Sequence, residues 1–164
     1  MIAFFEMFGG LGLAFIGIAL AILMCCIGSA ESTGMVGEAA TGVLSETPEH
    51  FVKCMILEAL PGTQGLYGIA AGFFALFVLG AFSGGIVPLT LPQGMSILIA
   101  RLPIAFGGWL SAKAQARVAA ASINIVAKKP DDYMKGVILC GIVEFYAILS
   151  LLATILLLMF AVPV

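Results

Sequence analysis

Four long apolar stretches, separated by three short breaks, dominate the pattern of hydrophobic and polar positions in the 164-residue chain. Residues 59–100 and 145–164 contain no charged residue. A membrane-spanning helix needs about 20 apolar residues, whereas a membrane barrel strand needs only about 9–11. Because the apolar stretches are too long for barrel strands, the pattern predicts an all-α membrane protein. Its four transmembrane helices are expected near residues 8–45, 50–81, 88–127 and 131–162.

The three breaks read "SETPEH", "FSGGIVPLTLPQG" and "AKKPDD", and they hold the proline, glycine and charged residues expected of turns. When the chain is shifted by 82 residues, Pro48 falls on Pro130 and Lys53 falls on Lys135. This internal repeat predicts two tandem helical hairpins, residues 1–82 with the first two spans and residues 83–164 with the last two. Since each hairpin has an even number of spans, both charged breaks are expected on the same side of the membrane.

Composition agrees with a membrane location and indicates its orientation. The chain is 62% hydrophobic and 10% charged, whereas soluble domains carry about 25% charged residues. The net charge of −2 does not favour a nucleic acid partner. Lysines cluster at the two charged breaks, and residues 82–95 contain neither lysine nor arginine. The positive-inside rule therefore predicts cytoplasmic charged turns and two termini outside the cell.

The first and third spans differ from the other two in the size of their side chains. Small residues recur in them at intervals of three or four, and such residues let helices approach closely in a membrane. The second and fourth spans carry bulky side chains suited to lipid. This pattern favours a closed ring with helices 1 and 3 inside and helices 2 and 4 outside, although an ordinary four-helix bundle would also use small residues. The small residues are Gly10, Ala14, Gly17, Ala21, Ala105, Gly108, Ala112 and Ala116.

Glu144 is the one ionisable carboxyl group in the stretch "ILCGIVEFYAILSLLATILLLMF". A charged side chain at the centre of a spanning helix costs about 2.5–3.5 kcal/mol or more. Counted from the hairpin prolines, Glu144, Gln115, Thr63 and Gln64 are all 14 to 16 residues away. At 1.5 Å of rise per residue, these four side chains lie at one depth, about 21–24 Å from the turns. Their shared depth predicts a functional site.

The second span carries further features of a binding site. Leu60, Thr63, Gln64 and Tyr67 are spaced to share one face of a helix. Pro61 lacks an N–H group, and the resulting distortion can turn the Leu60 carbonyl toward a ligand. A set of oxygen atoms with one carboxylate suits a hard monovalent cation. Two alternatives remain: a protonated carboxyl group that only bonds its polar neighbours, or a "PGTQG" segment that is only a kink.

The segments "GSAESTGMVGEAA", "LPGTQGLYG", "LPIAFGGWLSAKAQARVAAA" and "VEFYAIL" resemble the rotor-ring proteolipid of prokaryotic V-type ATPases, which is called K or c. The resemblance implies a ring of identical subunits that carries one Na⁺ per subunit and performs no catalysis itself. It also implies that Tyr67 hydrogen-bonds the ion-binding glutamate. The residues that the resemblance assigns to Na⁺ are Glu144, Thr63, Gln64, Gln115 and the Leu60 backbone carbonyl.

The same resemblance implies further partners and a location. These are a stator membrane subunit with an essential arginine, a central-stalk subunit on the cytoplasmic side, surrounding lipid, and the plasma membrane of a prokaryote. H⁺ is the alternative coupling ion. A small cation-coupled secondary transporter is a less favoured alternative, because it would need a roomy polar cavity.

Three charged residues depart from the family pattern. Glu31 and Lys113 are 82 residues apart, so they occupy equivalent positions on the first and third helices. We expect them to form an inner-wall charge pair, repeated around the ring as an alternating belt. Glu58 adds a carboxyl group near the ion site.

Overall fold

The computed structural model describes residues 2–86 and 88–161, which form five α-helices arranged as four rods. Two short helices, joined by a 3₁₀ turn at Leu60–Gly62, make up the second rod. This architecture confirms the all-α prediction with four helical rods. The helices are α1 (Ile2–Leu44), α2 (Phe51–Ala59), α3 (Thr63–Val78), α4 (Leu91–Lys128) and α5 (Tyr133–Ala161).

The observed bounds differ from the predicted spans mainly at the outer ends. The first helix begins at Ile2 rather than near residue 8, and the second rod ends at Val78 rather than near residue 81. The third helix begins at Leu91 instead of residue 88, and Thr90 marks its start because its N–H donates to Gln93 Oε1 at 2.9 Å. The predicted limit of the last span at residue 162 and the hairpin limits at residues 1 and 164 lie outside the described residues.

Three of the rods are continuous helices that are long and apolar enough to cross a membrane, Gly9–Leu44, Leu91–Lys128 and Pro130–Phe160. The rod over residues 51–78 is apolar too, but its α-helix is interrupted after nine residues. Pro61 causes the interruption, because it has no N–H for the helical ladder. The chain is thus a multi-pass membrane protein with one broken rod.

Both charged turns lie at the same end of the bundle. Each contains a 3₁₀ turn that starts at a proline, Pro48–His50 in the first half and Pro130–Asp132 in the second. The Lys53 Nζ atom lies 3.4 Å from the Asp131 Oδ1 atom, which joins the two turns through an exposed ion pair.

Helices α1 and α4 pack closely along their small residues. A Cβ atom added at Gly94 would overlap the Gly10 backbone, and one added at Gly17 would lie 2.7 Å from the Leu98 Cα atom. Gly28 fits against Trp109 in the same way. The small-residue stripes therefore set the distance between these helices, and the second rod and α5 pack beside them. Several alanines of the two helices have no exposed surface, namely Ala14, Ala21, Ala105, Ala112 and Ala116.

Candidate cation-binding site

The break between α2 and α3 builds the first part of the site. In the 3₁₀ turn, the Thr63 hydroxyl donates to the Leu60 carbonyl at 2.9 Å. Just beyond the turn, the Gly65 N–H donates to Ser29 Oγ on α1 at 2.9 Å. The start of α3 is consequently fixed against α1, with the Leu60 carbonyl and the Thr63 hydroxyl side by side.

Two buried glutamines connect this turn to α4 and α5. Gln64 and Gln115 have no exposed surface. Gln64 Nε2 donates to Gln115 Oε1 at 2.6 Å, and Gln115 Nε2 donates to the Cys140 carbonyl at 3.1 Å. Both amide nitrogens are thereby engaged within the protein. The Gln64 Oε1 atom is left facing Thr63 Oγ1 at 3.5 Å, where its lone pairs can accept a cation.

The carboxyl group of Glu144 is oriented by Tyr67. The Tyr67 hydroxyl donates to Glu144 Oε1 at 2.5 Å. Both side chains are half-buried between α3 and α5. This hydrogen bond engages one oxygen of the carboxyl group and leaves the Oε2 atom available for a ligand.

The predicted site residues fall into two hydrogen-bonded groups. One group contains Leu60, Thr63, Gln64 and Gln115, and the other contains Tyr67 and Glu144. Over residues 2–86 and 88–161, Glu144 forms no hydrogen bond with Thr63 or Gln115. The structure therefore does not support the alternative in which a protonated carboxyl group bonds Thr63 and Gln115.

The donor chemistry of the site does not suit a transition metal. In the part of the chain that the structure describes, no cluster of three or more His, Cys, Asp or Glu residues could hold a metal ion. The site offers a carboxylate, a hydroxyl, amide oxygens and a backbone carbonyl. Such oxygen atoms, with one negative charge among them, suit a hard monovalent cation.

Sequence reasoning missed two residues that shape the site. The Cys140 carbonyl accepts a hydrogen bond from Gln115, and the Ser29 hydroxyl accepts one from Gly65. Ser29 aligns with Ser111 at the 82-residue offset, but this match gives no indication of its partner. Both contacts depend on how each helix is rotated about its axis, which residue spacing alone does not determine.

The charge pair between α1 and α4 forms within one chain. Lys113 Nζ lies 2.6 Å from Glu31 Oε2, and it also lies 4.9 Å from the centre of the Trp109 ring. The side chains of Lys113 and Glu31 are 39% and 53% exposed. The structure thus brings the predicted partners together, at a partly solvated surface.

Comparison with known proteins shows a consistent family likeness. Residues 16–75 and 98–157 each match the family described as the C subunit of ATP synthase, and the two matches begin 82 positions apart. The chain is 44% identical over 149 residues to the V-type sodium ATPase subunit K of Enterococcus hirae, which covers 91% of this chain and 92% of that protein. It is 34% identical over 143 residues to the A-type ATP synthase subunit K of Methanocaldococcus jannaschii, over 87% of this chain and 60% of that protein.

Proposed function

This chain belongs to the family of ATP synthase C subunits, as a non-catalytic membrane rotor subunit of a V-type ATPase, and on that premise we propose that it carries Na⁺. The proposal is supported by the oxygen atoms that the site leaves free. The second oxygen of Glu144 accepts no hydrogen bond among the described residues, and Gln64 Oε1 accepts only a long one, at 3.5 Å from the Thr63 hydroxyl. The relative that is 44% identical is named a sodium ATPase subunit.

In the proposed site, one Na⁺ ion is the transported substrate. Glu144 supplies the negative charge, and the neutral oxygens replace water around the ion. The bound ion and the carboxylate neutralise each other. The free-energy cost of facing lipid is therefore far lower for the occupied site than for a Glu144 carboxylate without an ion. H⁺ at Glu144 is the alternative cargo. The neutral oxygens belong to Thr63, Gln64, Gln115 and the Leu60 carbonyl, while Tyr67 orients the carboxylate.

The proposed rotor is a closed ring of identical chains, with α1 and α4 inside and the second rod and α5 outside. The different exposure of equivalent residues in the two hairpins supports this arrangement. Leu57 and Gln64 are fully buried where the first hairpin meets the second. Their equivalents at the 82-residue offset, Leu139 and Tyr146, are 50% and 65% exposed. The second hairpin thus presents the face that the first hairpin buries, and another copy of the chain can cover it.

Rotation would expose each site in turn to a stator membrane subunit in the same membrane. An arginine of that subunit would compete for the Glu144 carboxylate and release Na⁺ into an aqueous channel. The charged turns face the cytoplasm in this arrangement, where a central-stalk subunit would bind them, and the termini face outward. The location is the plasma membrane of a prokaryote. The secondary-transporter alternative needs a water-filled cavity, whereas Gln64 and Gln115 are fully buried.

Reaction of the ring with a hydrophobic carbodiimide tests the site directly. This reagent modifies a protonated carboxyl group in an apolar environment, so bound Na⁺ should slow its reaction with Glu144. We expect Na⁺ to protect Glu144 and K⁺ to give little protection. Equal protection by the two ions, or none by either, would contradict a sodium site.

The same protection assay measures affinity in variants. Gln115→Ala and Thr63→Ala each remove one oxygen ligand, so the Na⁺ concentration for half-protection should rise about 10–100-fold, which corresponds to a loss of about 1.4–2.7 kcal/mol. Glu144→Gln should abolish Na⁺ transport by the complete ATPase. Ser122→Ala, which changes a hydroxyl of α4 that bonds its own helix, is the matched control and should leave the affinity unchanged. Unaltered Na⁺ affinity in Gln115→Ala would favour H⁺.

A further inference from the structure

A small cavity lies on the surface between α1 and α4, and none of its lining residues belongs to the Na⁺ site. Its volume is about 190 Å³. Because a water molecule takes up about 30 Å³ of the liquid, the cavity has room for a polyatomic group. Four of the five residues that line it are polar or charged. The lining residues are Glu31, Ser32, Met35, Lys113 and Arg117.

The Ser32 hydroxyl in this cavity is a buried donor without a partner. Ser32 is 1% exposed, and its Oγ atom forms no hydrogen bond with any residue that the structure describes. Serines inside helices commonly donate to a carbonyl of the preceding turn, as Ser111 and Ser122 do in α4. An unpaired buried hydroxyl is unfavourable, so a group that accepts its hydrogen bond would be stabilised there. Ser32 therefore indicates a ligand with an acceptor oxygen.

The charges around the cavity indicate that this ligand is an anion. Lys113 and Arg117 are four residues apart on α4, so they lie on one face of the helix. Lys113 Nζ lies 2.6 Å from Glu31 Oε2, whereas none of the ion pairs within the described ranges includes Arg117. Two cations and one carboxylate leave one net positive charge, which matches the single negative charge of a phosphodiester. A guanidinium group can also bind two phosphate oxygens at once.

An apolar strip, formed by Ile27, Phe106 and Leu110, leads from the cavity away from the charged turns. Phe106 and Leu110 precede Lys113 by seven and three residues, so they share its face of α4. They are 48% and 57% exposed, and Ile27, four residues before Glu31 on α1, is 51% exposed. A hydrocarbon chain attached to the phosphate would cover this strip, whereas a free phosphate ion would not. The strip therefore favours a lipid over a soluble anion.

We propose that the cavity binds the phosphate group of a phospholipid, whose acyl chains lie along the apolar strip. Arg117 donates to the phosphate oxygens, and the Ser32 hydroxyl donates to one of them. Lys113 adds positive charge, which Glu31 partly compensates. Basic pockets between membrane helices are known to bind lipid headgroups. Because the cavity lies within one chain, the site requires neither the proposed ring nor bound Na⁺.

Native mass spectrometry of the purified, delipidated protein tests this site with dioleoyl phosphatidylglycerol as the probe. This lipid carries one phosphodiester charge. We expect one tightly held lipid per chain. Dioleoylglycerol, which has the same acyl chains and no phosphate, should not be retained. Glycerophosphate, which has the phosphate and no acyl chains, should not displace the lipid at equal concentration.

Variants of the cavity should weaken binding of the same lipid. Arg117→Met should raise the lipid concentration for half-occupancy about 10-fold or more, because hydrogen bonds to a charged group are lost. Ser32→Ala should raise it too, since one donor is removed. Lys128→Met removes an exposed cation of α4 outside the cavity, and Thr41→Ala removes a hydroxyl of α1 that bonds its own helix. Both are controls and should leave the lipid affinity unchanged.

Glu31→Gln changes the affinity in the opposite direction. It frees Lys113 from its carboxylate partner, so phosphatidylglycerol should bind more tightly, and misfolding cannot produce such a gain. Equal retention of dioleoylglycerol, or unchanged affinity in both Arg117→Met and Ser32→Ala, would overturn the headgroup site. Displacement of the lipid by glycerophosphate would overturn the lipid as the ligand and indicate a free phosphate. The same spectra count the chains per particle, so lipid on a single chain would support this site while contradicting the ring.

Discussion

At the scale of single residues, Arg101 lies buried without a matching negative charge among the described residues. Its side chain has no exposed surface, and its Nη1 atom donates to the Ala71 carbonyl at 2.5 Å. Its Nε and Nη2 atoms have no hydrogen-bond partner in the same part of the chain. A buried donor without a partner costs about 1–3 kcal/mol. Arg101 is therefore a site where an apolar side chain should improve stability.

We expect Arg101→Met to raise the free energy of unfolding by about 1–3 kcal/mol, because it removes unpaired donors and keeps most of the packing volume. Thermal unfolding in mild detergent is the measurement. Arg117→Met, at an exposed position of the same helix, is the control and should change stability by less than about 0.5 kcal/mol. A lower unfolding temperature in Arg101→Met would mean that the guanidinium has a stabilising partner in the proposed ring.

At the scale of helical elements, the break at Pro61 is the feature that presents the Leu60 carbonyl. In Pro61→Ala the restored N–H can donate to the Leu57 carbonyl, so α2 and α3 should become one regular helix. The Leu60 carbonyl would then accept from the Gln64 N–H of the helical ladder. We expect the Na⁺ concentration for half-protection of Glu144 to rise about 10-fold, a loss of about 1.4 kcal/mol.

The matched control for this change is Pro103→Ala, which alters the proline inside α4 and leaves the α2–α3 break intact. It should change the Na⁺ affinity little. If Pro61→Ala binds Na⁺ as tightly as the unaltered protein, the break does not contribute a ligand.

The helices and their breaks followed from the sequence because apolar length and proline position dictate them. The prolines at 48 and 130 each start a 3₁₀ turn, and the polar residues at one depth do lie near each other. The division of the site residues into two hydrogen-bonded groups could not be predicted. It depends on the rotation of α3, α4 and α5 about their axes, which the packing of Gly65 and Gly108 against α1 helps to determine. For the same reason, residue spacing could not identify the Cys140 carbonyl as the hydrogen-bond acceptor of Gln115.

At the scale of the whole molecule, the charges of Glu31 and Lys113 are expected to affect how copies of the chain assemble. The Glu31–Lys113 pair is about half exposed, so it is a weaker interaction than a buried pair would be. Exposed ion pairs contribute about 0.2–1 kcal/mol, and the Trp109 ring adds a cation–π contact of about 0.5–1 kcal/mol. The proposed ring and the alternating belt of these charges around it stay predictions.

We expect Lys113→Ala to lower the dissociation temperature of the ring in detergent, because the Glu31 carboxylates of neighbouring copies then repel one another. The double variant Glu31→Ala with Lys113→Ala should recover part of the loss, since no unpaired charge remains. The temperature at which the ring band disappears on a gel is the measurement. If the double variant is no more stable than the worse single variant, the charges do not form a belt.

The glycine at position 62 has a mechanical consequence for the proposed rotor. In the proposed ring, each chain would supply two hairpins of wall but one membrane carboxylate at this depth, because the residue equivalent to Glu144 in the first hairpin is Gly62. A ring of given circumference therefore carries half as many ions per revolution as one with a carboxylate in every hairpin. The energy that a revolution delivers is divided among fewer ions, so each ion can be driven against a steeper gradient. Glycine at position 62 therefore lowers the number of ions moved per revolution and raises the ion gradient against which the rotor can work.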